Sequence, residues 1–190
     1  MTSPTLESGP LDPVALLHDR AARYDAVLMT VAAQGQQQYL GTVERVYSRR
    51  FEGPEPYASG PLRFVGAPGS WGNQTLADGE RALVFVRWLP HSGRYYQEHW
   101  HGHFTIVEMN DVAYAVANWH LLQSTERTWG PGWLRDAAFL PDEKKPWQVA
   151  LPFALLERHL IEELGHLGVR QEPAVEEDLP RPPSENVVSA

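Results

Sequence analysis

Short apolar and alternating runs dominate the first 120 residues, and they predict a domain built mainly of β-strands. The most hydrophobic run, residues 82–88, is typical of a central strand that is buried on both faces. An Asn110-Asp111 pair follows the alternating residues 95–108 and predicts a tight hairpin turn. The predicted strands are residues 26–33, 39–49, 62–65, 82–88, 95–108 and 112–119.

Helical patterns occur only at the two ends of this strand region. Asp12-Pro13 combines an N-cap with a proline at the first helical position, and it predicts an amphipathic helix over residues 13–24. Pro152 opens a second helix, for which Gly165 is the predicted C-cap. The apolar stripe of this second helix comprises Phe153, Leu156, Leu160 and Leu164.

Together these patterns predict an α+β fold that is rich in β-structure. The expected architecture is a small antiparallel barrel or curved, OB-like sheet with an N-terminal and a C-terminal helix, and an open antiparallel α+β sheet is the alternative. Residues 13–167 form one predicted globular domain. Residues 1–12 are expected to be a flexible arm, and residues 168–190, with five acidic and two basic side chains and four prolines, a disordered acidic tail.

Composition narrows the classes of protein that the chain can represent. Its 190 residues carry a formal charge of −8, which disfavours nucleic acid as a partner and fits either plain solubility or a basic partner. The chain has no cysteine and no apolar run of membrane-spanning length, and it shows no signal-peptide pattern or nucleophile-elbow motif. We therefore expect a cytoplasmic bacterial protein that uses no cofactor and is not an enzyme.

Three histidines alternate along the predicted strand 95–108, at His99, His101 and His103. Side chains two apart on a strand point the same way about 7 Å apart, so His99 and His101 suit one metal ion, whereas His103 is roughly 13 Å from His99. Such a site would need a further ligand from Glu98, Glu108, Asp111 or His120. The alternative places the histidines on the solvent face of the sheet, opposite Trp100 and Phe104, where they suit protein recognition.

Tryptophans concentrate in a stretch that has no periodic pattern. Residues 119–147 contain four of the seven tryptophans, and aromatic residues are enriched at protein interfaces. This stretch is therefore expected to pack on the sheet or to present aromatic side chains to a partner. The candidate partner-binding residues are Trp100, His101, His103, Trp129, Trp133, Arg49 and Tyr57.

Several short phrases resemble the netrin-like OB fold, which occurs in tissue inhibitors of metalloproteinases and in small bacterial proteins. In chain order they are Gly41-x-Val43, residues 62–65 (LRFV), Trp71-Gly72 and residues 76–86 (LADGERALVFV). The resemblance covers about residues 26–108 and implies a five-stranded antiparallel barrel that binds through its face and loops. The chain lacks the amino-terminal cysteine of the metalloproteinase inhibitors, so their metal-chelating inhibition is not implied.

The predicted function is a non-enzymatic protein-binding module, and within that class a bacterial immunity protein that blocks the active site of a cognate toxin. Small size, acidic charge and clustered tryptophans are typical of such proteins. Acidic side chains would steer a basic toxin, and Trp and Tyr would anchor the centre of the interface. The alternative is a metal-dependent enzyme or metal-binding protein centred on His99 and His101.

Overall fold

The computed structural model describes residues 20, 22–48, 61–67, 75–98, 102–118, 137, 139, 141, 142, 144 and 148–166. These residues form eight strands and one helix. In chain order they are β1 (Asp25–Gly35), β2 (Gln38–Ser48), β3 (Leu62–Val65), β4 (Arg81–Leu89), β5 (Arg94–Gln97), β6 (His103–Met109), β7 (Val112–Asn118), β8 (Gln148–Pro152) and α1 (Phe153–His166).

The first five strands close into a barrel. Their order is β1-β2-β3-β5-β4, and β4 pairs back with β1 to complete the ring. The pairing is antiparallel throughout except between β3 and β5, which run in parallel. The barrel core is apolar and includes Val27, Met29, Val31, Tyr39, Leu62, Phe64, Val84, Val86 and Tyr95. The prediction of a small β-rich barrel is therefore confirmed.

Strand β4 belongs to two cores, because both of its faces are buried. Ala82, Val84 and Val86 pack inside the barrel, while Leu83 and Phe85 point to the opposite side. A side-chain period of two residues produces this division when a continuous apolar run forms a strand. The prediction of a central strand is thus confirmed, and residues 82–86 are buried on both faces, whereas Arg87 is exposed.

The second core lies between the sheet and helix α1. Strands β6, β7 and β8 extend the sheet from β4, and the helix packs on the face that they share with Leu83 and Phe85. The predicted helical stripe is confirmed, since Phe153, Leu156, Leu160 and Leu164 are all buried. The predicted C-cap is wrong, because the helix runs through Gly165 to His166 and Gly165 does not have a positive φ.

Helix α1 is tied to the barrel by one polar contact with strand β2. The Tyr47 hydroxyl donates to Glu157 Oε1 at 2.5 Å, and Arg45 Nη1 donates to the same oxygen at 2.8 Å. Burial and the neighbouring Glu157 raise the pKa of Tyr47 well above its usual range, so the hydroxyl keeps its proton. A charged acceptor with two donors fixes the rotation of the helix on the sheet.

The predicted single strand over residues 95–108 is wrong, because β5 and β6 are separate strands that pair with the same edge of β4. Gln97 lies opposite Val86 and His103 lies opposite Val84. Between them, Phe85 bonds to both ends of the interruption: its carbonyl accepts from Glu98 N at 3.0 Å and its N–H donates to Gly102 O at 2.8 Å. The chain therefore leaves the ladder at Glu98 and rejoins it at Gly102, and both residues bond to the same residue of β4.

Several predicted segments fall wholly or partly outside the described residues. Of the predicted helix 13–24, Arg20, Ala22 and Arg23 are helical, and Tyr24 N donates to Arg20 O at 2.9 Å. The arm 1–12, the tail 168–190 and most of the stretch 119–147 lie outside. Within the part of the chain that the structure describes, no helix is long and apolar enough to cross a membrane.

Candidate binding cleft

A cleft of about 530 Å³ opens on the barrel wall beside strands β2 and β3. Its lining comes from Gln34, residues 38–40, residues 61–65, Trp88 and residues 93–95. These residues belong to the end of β1, to β2 and β3, to the facing ends of β4 and β5, and to the turn that connects β4 to β5. Segments that are distant in the sequence thus meet at one concavity because the barrel closes.

Both turns at the rim of the cleft have left-handed backbone. Gly35, Gln36 and Gln37 have φ values of 84°, 50° and 61°, and the two glutamines form the corner of the β1–β2 hairpin. Gly93, with a φ of 62°, closes the β4–β5 turn by donating to Leu89 O at 3.0 Å. Left-handed corners match the twist of antiparallel strands, and these two keep the polar rim close to the sheet.

The floor of the cleft is aromatic and rigid. Tyr39 stacks on Phe64 with ring centroids 5.4 Å apart, and Trp88 lies 5.0 Å from Tyr95. The Tyr39 hydroxyl donates to Leu76 O at 3.1 Å, and burial raises the pKa of this hydroxyl. A Cβ at Gly66 would come within 2.3 Å of the Tyr39 ring, so only glycine lets the ring occupy this place.

The charge of the cleft opposes the charge of the chain. Its described lining includes two exposed cationic side chains, Arg63 and Arg94, and no carboxylate. The chain as a whole carries −8. An arginine guanidinium binds carboxylates through two parallel hydrogen bonds and stacks on aromatic faces. The cleft is therefore suited to an acidic or aromatic group rather than to a basic one.

A polar site separate from the cleft lies where β5 ends and β6 begins. Gln97 Oε1 accepts from Ala67 N at 3.0 Å, so its amide nitrogen faces His103 Nδ1 at 2.8 Å. An amide nitrogen donates, and His103 Nδ1 therefore accepts, which places the imidazole proton on Nε2. Nε2 lies 3.9 Å from Glu80 Oε1, an oxygen that also accepts a hydrogen bond from the Thr105 hydroxyl.

His103 is not on the solvent face where the alternation pattern placed it. Its side chain is only 7% exposed, because β6 pairs with β4 in a register that turns it toward the barrel side with Gln97. Burial lowers the pKa of His103, and the nearby Glu80 carboxylate opposes that shift. Its role in partner binding stays a prediction, but the ring itself acts in the structure as a neutral hydrogen-bonded group.

Stability is expected to fall as the pH decreases below about 6.5, the usual pKa of histidine, because His103 binds a proton more readily in the unfolded chain. The contribution is complete above that pH and is lost as the pH falls toward the lowered pKa of the folded state. Urea unfolding between pH 7.5 and pH 5 measures it. His103→Gln should flatten this part of the profile, whereas His91→Gln, at an exposed turn position, should leave it unchanged. An identical slope in His103→Gln would contradict the assignment.

The other predicted site residues lie outside the described residues: Arg49, Tyr57, His99, Trp100, His101, Trp129 and Trp133. Partner binding by these residues and the proposed metal ligation by His99 and His101 therefore stay predictions. Among the residues that are described, no three His, Asp or Glu side chains are placed to hold a metal ion.

Sequence reasoning missed the cleft. Trp88 and Tyr95 were interpreted only as parts of strands, and Arg94 was passed over. One signal was available: the run Gln34-Gly35-Gln36-Gln37-Gln38 is an uncharged polar hairpin corner in a chain with 21% charged residues. Such a corner contributes no carboxylate to the surface beside it, although the chain as a whole is acidic.

Comparison of the chain with protein-family models, with curated proteins and with solved structures finds no match. The resemblance to the netrin-like fold therefore stays a prediction.

Proposed function

We propose that this protein is a non-enzymatic binding module that holds an acidic segment of a partner protein in the cleft. The observation that carries the proposal is the combination of an aromatic floor with an arginine rim. Tyr, Trp and Arg are the residues that contribute most of the binding energy at protein interfaces. A rigid floor also reduces the conformational entropy that is lost on binding.

The topology supports an OB-like assignment of the barrel. An OB-like fold would have five strands that form a closed barrel. The order β1-β2-β3-β5-β4, closed by β1 and with β3 parallel to β5, is consistent with that arrangement. OB folds bind ligands on the face of their second and third strands, between the loops that follow strands one and four. The cleft occupies the corresponding position, which favours binding over catalysis.

Within this class we propose a bacterial immunity protein, acting in the cytoplasm against a toxin. The net charge of −8 would attract a basic toxin within the screening length of the solution. The basic cleft would then bind one acidic side chain of that toxin. Long-range steering and local docking thus use opposite charges on different parts of the surface.

Replacing either rim arginine is expected to weaken partner binding at least about tenfold, because a charge-assisted hydrogen bond in a desolvated site contributes about 1.5–3 kcal/mol. We would compare Arg63→Glu and Arg94→Glu with Arg87→Glu, an exposed arginine on β4 that does not line the cleft. The partner is first captured from the source bacterium with the unmodified protein and identified by mass spectrometry. Calorimetry then gives its dissociation constant for each variant.

The proposal requires that Arg87→Glu binds like the unmodified protein and that both cleft variants lose affinity. It would be overturned by equal binding of all four proteins, which would place the interface elsewhere. Failure of the unmodified protein to capture any partner would also overturn it. If the partner is a toxin, adding the unmodified protein should abolish its activity, and adding either cleft variant should not.

A further inference from the structure

The chain itself contains a segment whose chemistry matches the cleft. Residues 171–179 (QEPAVEEDL) carry four carboxylates and no basic side chain, and Pro173 and Pro180 lie at the ends of this segment. The cleft presents two arginines over an aromatic floor and, among its described lining, no carboxylate. We propose that residues 172–178 dock intramolecularly in the cleft and compete there with the partner.

The acidic segment is joined to the end of helix α1 by a short stretch of chain. The helix ends at His166, and Glu176 follows ten residues later. Fully extended, residues 167–176 would span roughly 33 Å, at about 3.3 Å per residue. A folded domain of about 150 residues has a radius of gyration of about 15 Å. The connecting stretch is therefore about twice as long as that radius, which allows the segment to dock on the domain away from the end of the helix.

The form of the segment also suits the cleft. Proline-bearing stretches favour an extended conformation, and extended proline-containing peptides bind in grooves lined by aromatic rings at a low cost in conformational entropy. Glu176, Glu177 and Asp178 would face the guanidinium groups of Arg63 and Arg94. A carboxylate cluster meeting two arginines is complementary in charge, whereas the rest of this acidic chain would repel it.

Competition follows from covalent linkage. A tethered segment has an effective concentration of the order of millimolar, so even weak docking would occupy the cleft for much of the time. Where that concentration equals the dissociation constant of the tail, the apparent affinity for a partner falls about twofold. The competition with a partner rests on the proposed function, whereas the docking of the tail does not.

Paramagnetic relaxation in the full chain tests the docking directly. The chain has no cysteine, so Ser184→Cys provides one attachment point for a nitroxide label near the acidic segment. Backbone amides of Gln38, Arg63 and Arg94 should broaden selectively, while those of Asn110 and Asp111, in a turn that does not line the cleft, should not. The broadening should disappear near 1 M salt, where the screening length is about 3 Å.

A triple substitution, Glu176→Gln with Glu177→Gln and Asp178→Asn, should abolish the broadening, and Glu185→Gln should not. Uniform or absent broadening at the cleft would overturn the proposal. Broadening that appears only when a nitroxide-labelled chain is mixed with a separate, isotope-labelled chain would also overturn it, because the tail would then dock on a second copy of the protein. Selective broadening without any captured partner would leave the tail docked and overturn only the proposed function.

Discussion

Replacing Phe85 with alanine is expected to lower the free energy of unfolding by about 3–5 kcal/mol, the range for truncating a buried aromatic side chain. Phe85 is completely buried in β4 and packs edge-to-face against Phe104, with ring centroids 6.4 Å apart. Both of its neighbours in the strand, Val84 and Val86, are buried in the barrel, so the backbone cannot move in to fill the cavity. Urea denaturation at pH 7.5 measures the loss.

Val112→Ala provides the comparison, because Val112 is 43% exposed at the start of β7. This change should alter the free energy of unfolding by less than about 0.5 kcal/mol, as is usual for surface positions. A loss of under about 1 kcal/mol in Phe85→Ala would mean that the second core tolerates a void, contrary to the close packing of protein interiors.

Gly102→Ala should destabilise the fold by about 3 kcal/mol, near the upper end of the usual range for overpacking. A Cβ at this position would lie 2.1 Å from Glu98 O and 2.9 Å from Gln97 Cγ. The backbone cannot yield cheaply, since Glu98 and Gly102 are both hydrogen-bonded to Phe85. The substitution should therefore break the hydrogen bonds that Glu98 and Gly102 form with Phe85. Hydrogen exchange of the Phe85 and Glu98 amides, together with urea unfolding, reports their loss.

Gly165→Ala is a control of the opposite sign. It lies in helix α1, its added Cβ would meet nothing within 4 Å, and alanine is the better helix former by about 0.5–1 kcal/mol. We expect stabilisation there and destabilisation at Gly102. Equal stability of Gly102→Ala and the unmodified protein would contradict the close approach of Gly102 to Glu98 O.

Much of the strand framework could be predicted from the sequence because the signals are local. The apolar run at residues 82–88, the Asn110-Asp111 corner and the helical stripe of α1 each depend on neighbours along the chain. Both corner residues have positive φ, as a two-residue hairpin turn requires. Strand β8 was not predicted, because its sequence QVALP does not alternate and ends at the proline that opens the helical pattern.

The predictions of which residues face the core were wrong where the register between two paired strands shifts. Alternation placed Tyr39 and Val46 on opposite faces of β2, yet both lie in the barrel core. The pairing shifts between Met29↔Val43 and Leu28↔Arg45, which leaves Glu44 as an extra residue and reverses the faces beyond it. The break between β5 and β6 has the same origin. Such shifts depend on the partner strand and leave no trace in a local pattern.

The cleft was invisible to local reasoning for a related reason. Gln34, Arg63 and Arg94 belong to three separate segments, and the pairing of β2 with β1 and β3 and of β3 with β5 gathers them. Trp88 and Tyr95 also had the pattern of ordinary strand residues. Composition indicated an acidic protein, and it could not show that the acidic charge is excluded from this one surface.

Strand β4 contributes to both the barrel core and the core beneath helix α1, and this determines how the protein unfolds. Neither core can melt while the other persists, because residues 82–86 complete both. Denaturation should then be one cooperative transition, with β4 amides exchanging only through global unfolding. A ligand held in the cleft would raise the melting temperature of the distant helix by the same amount as that of the barrel.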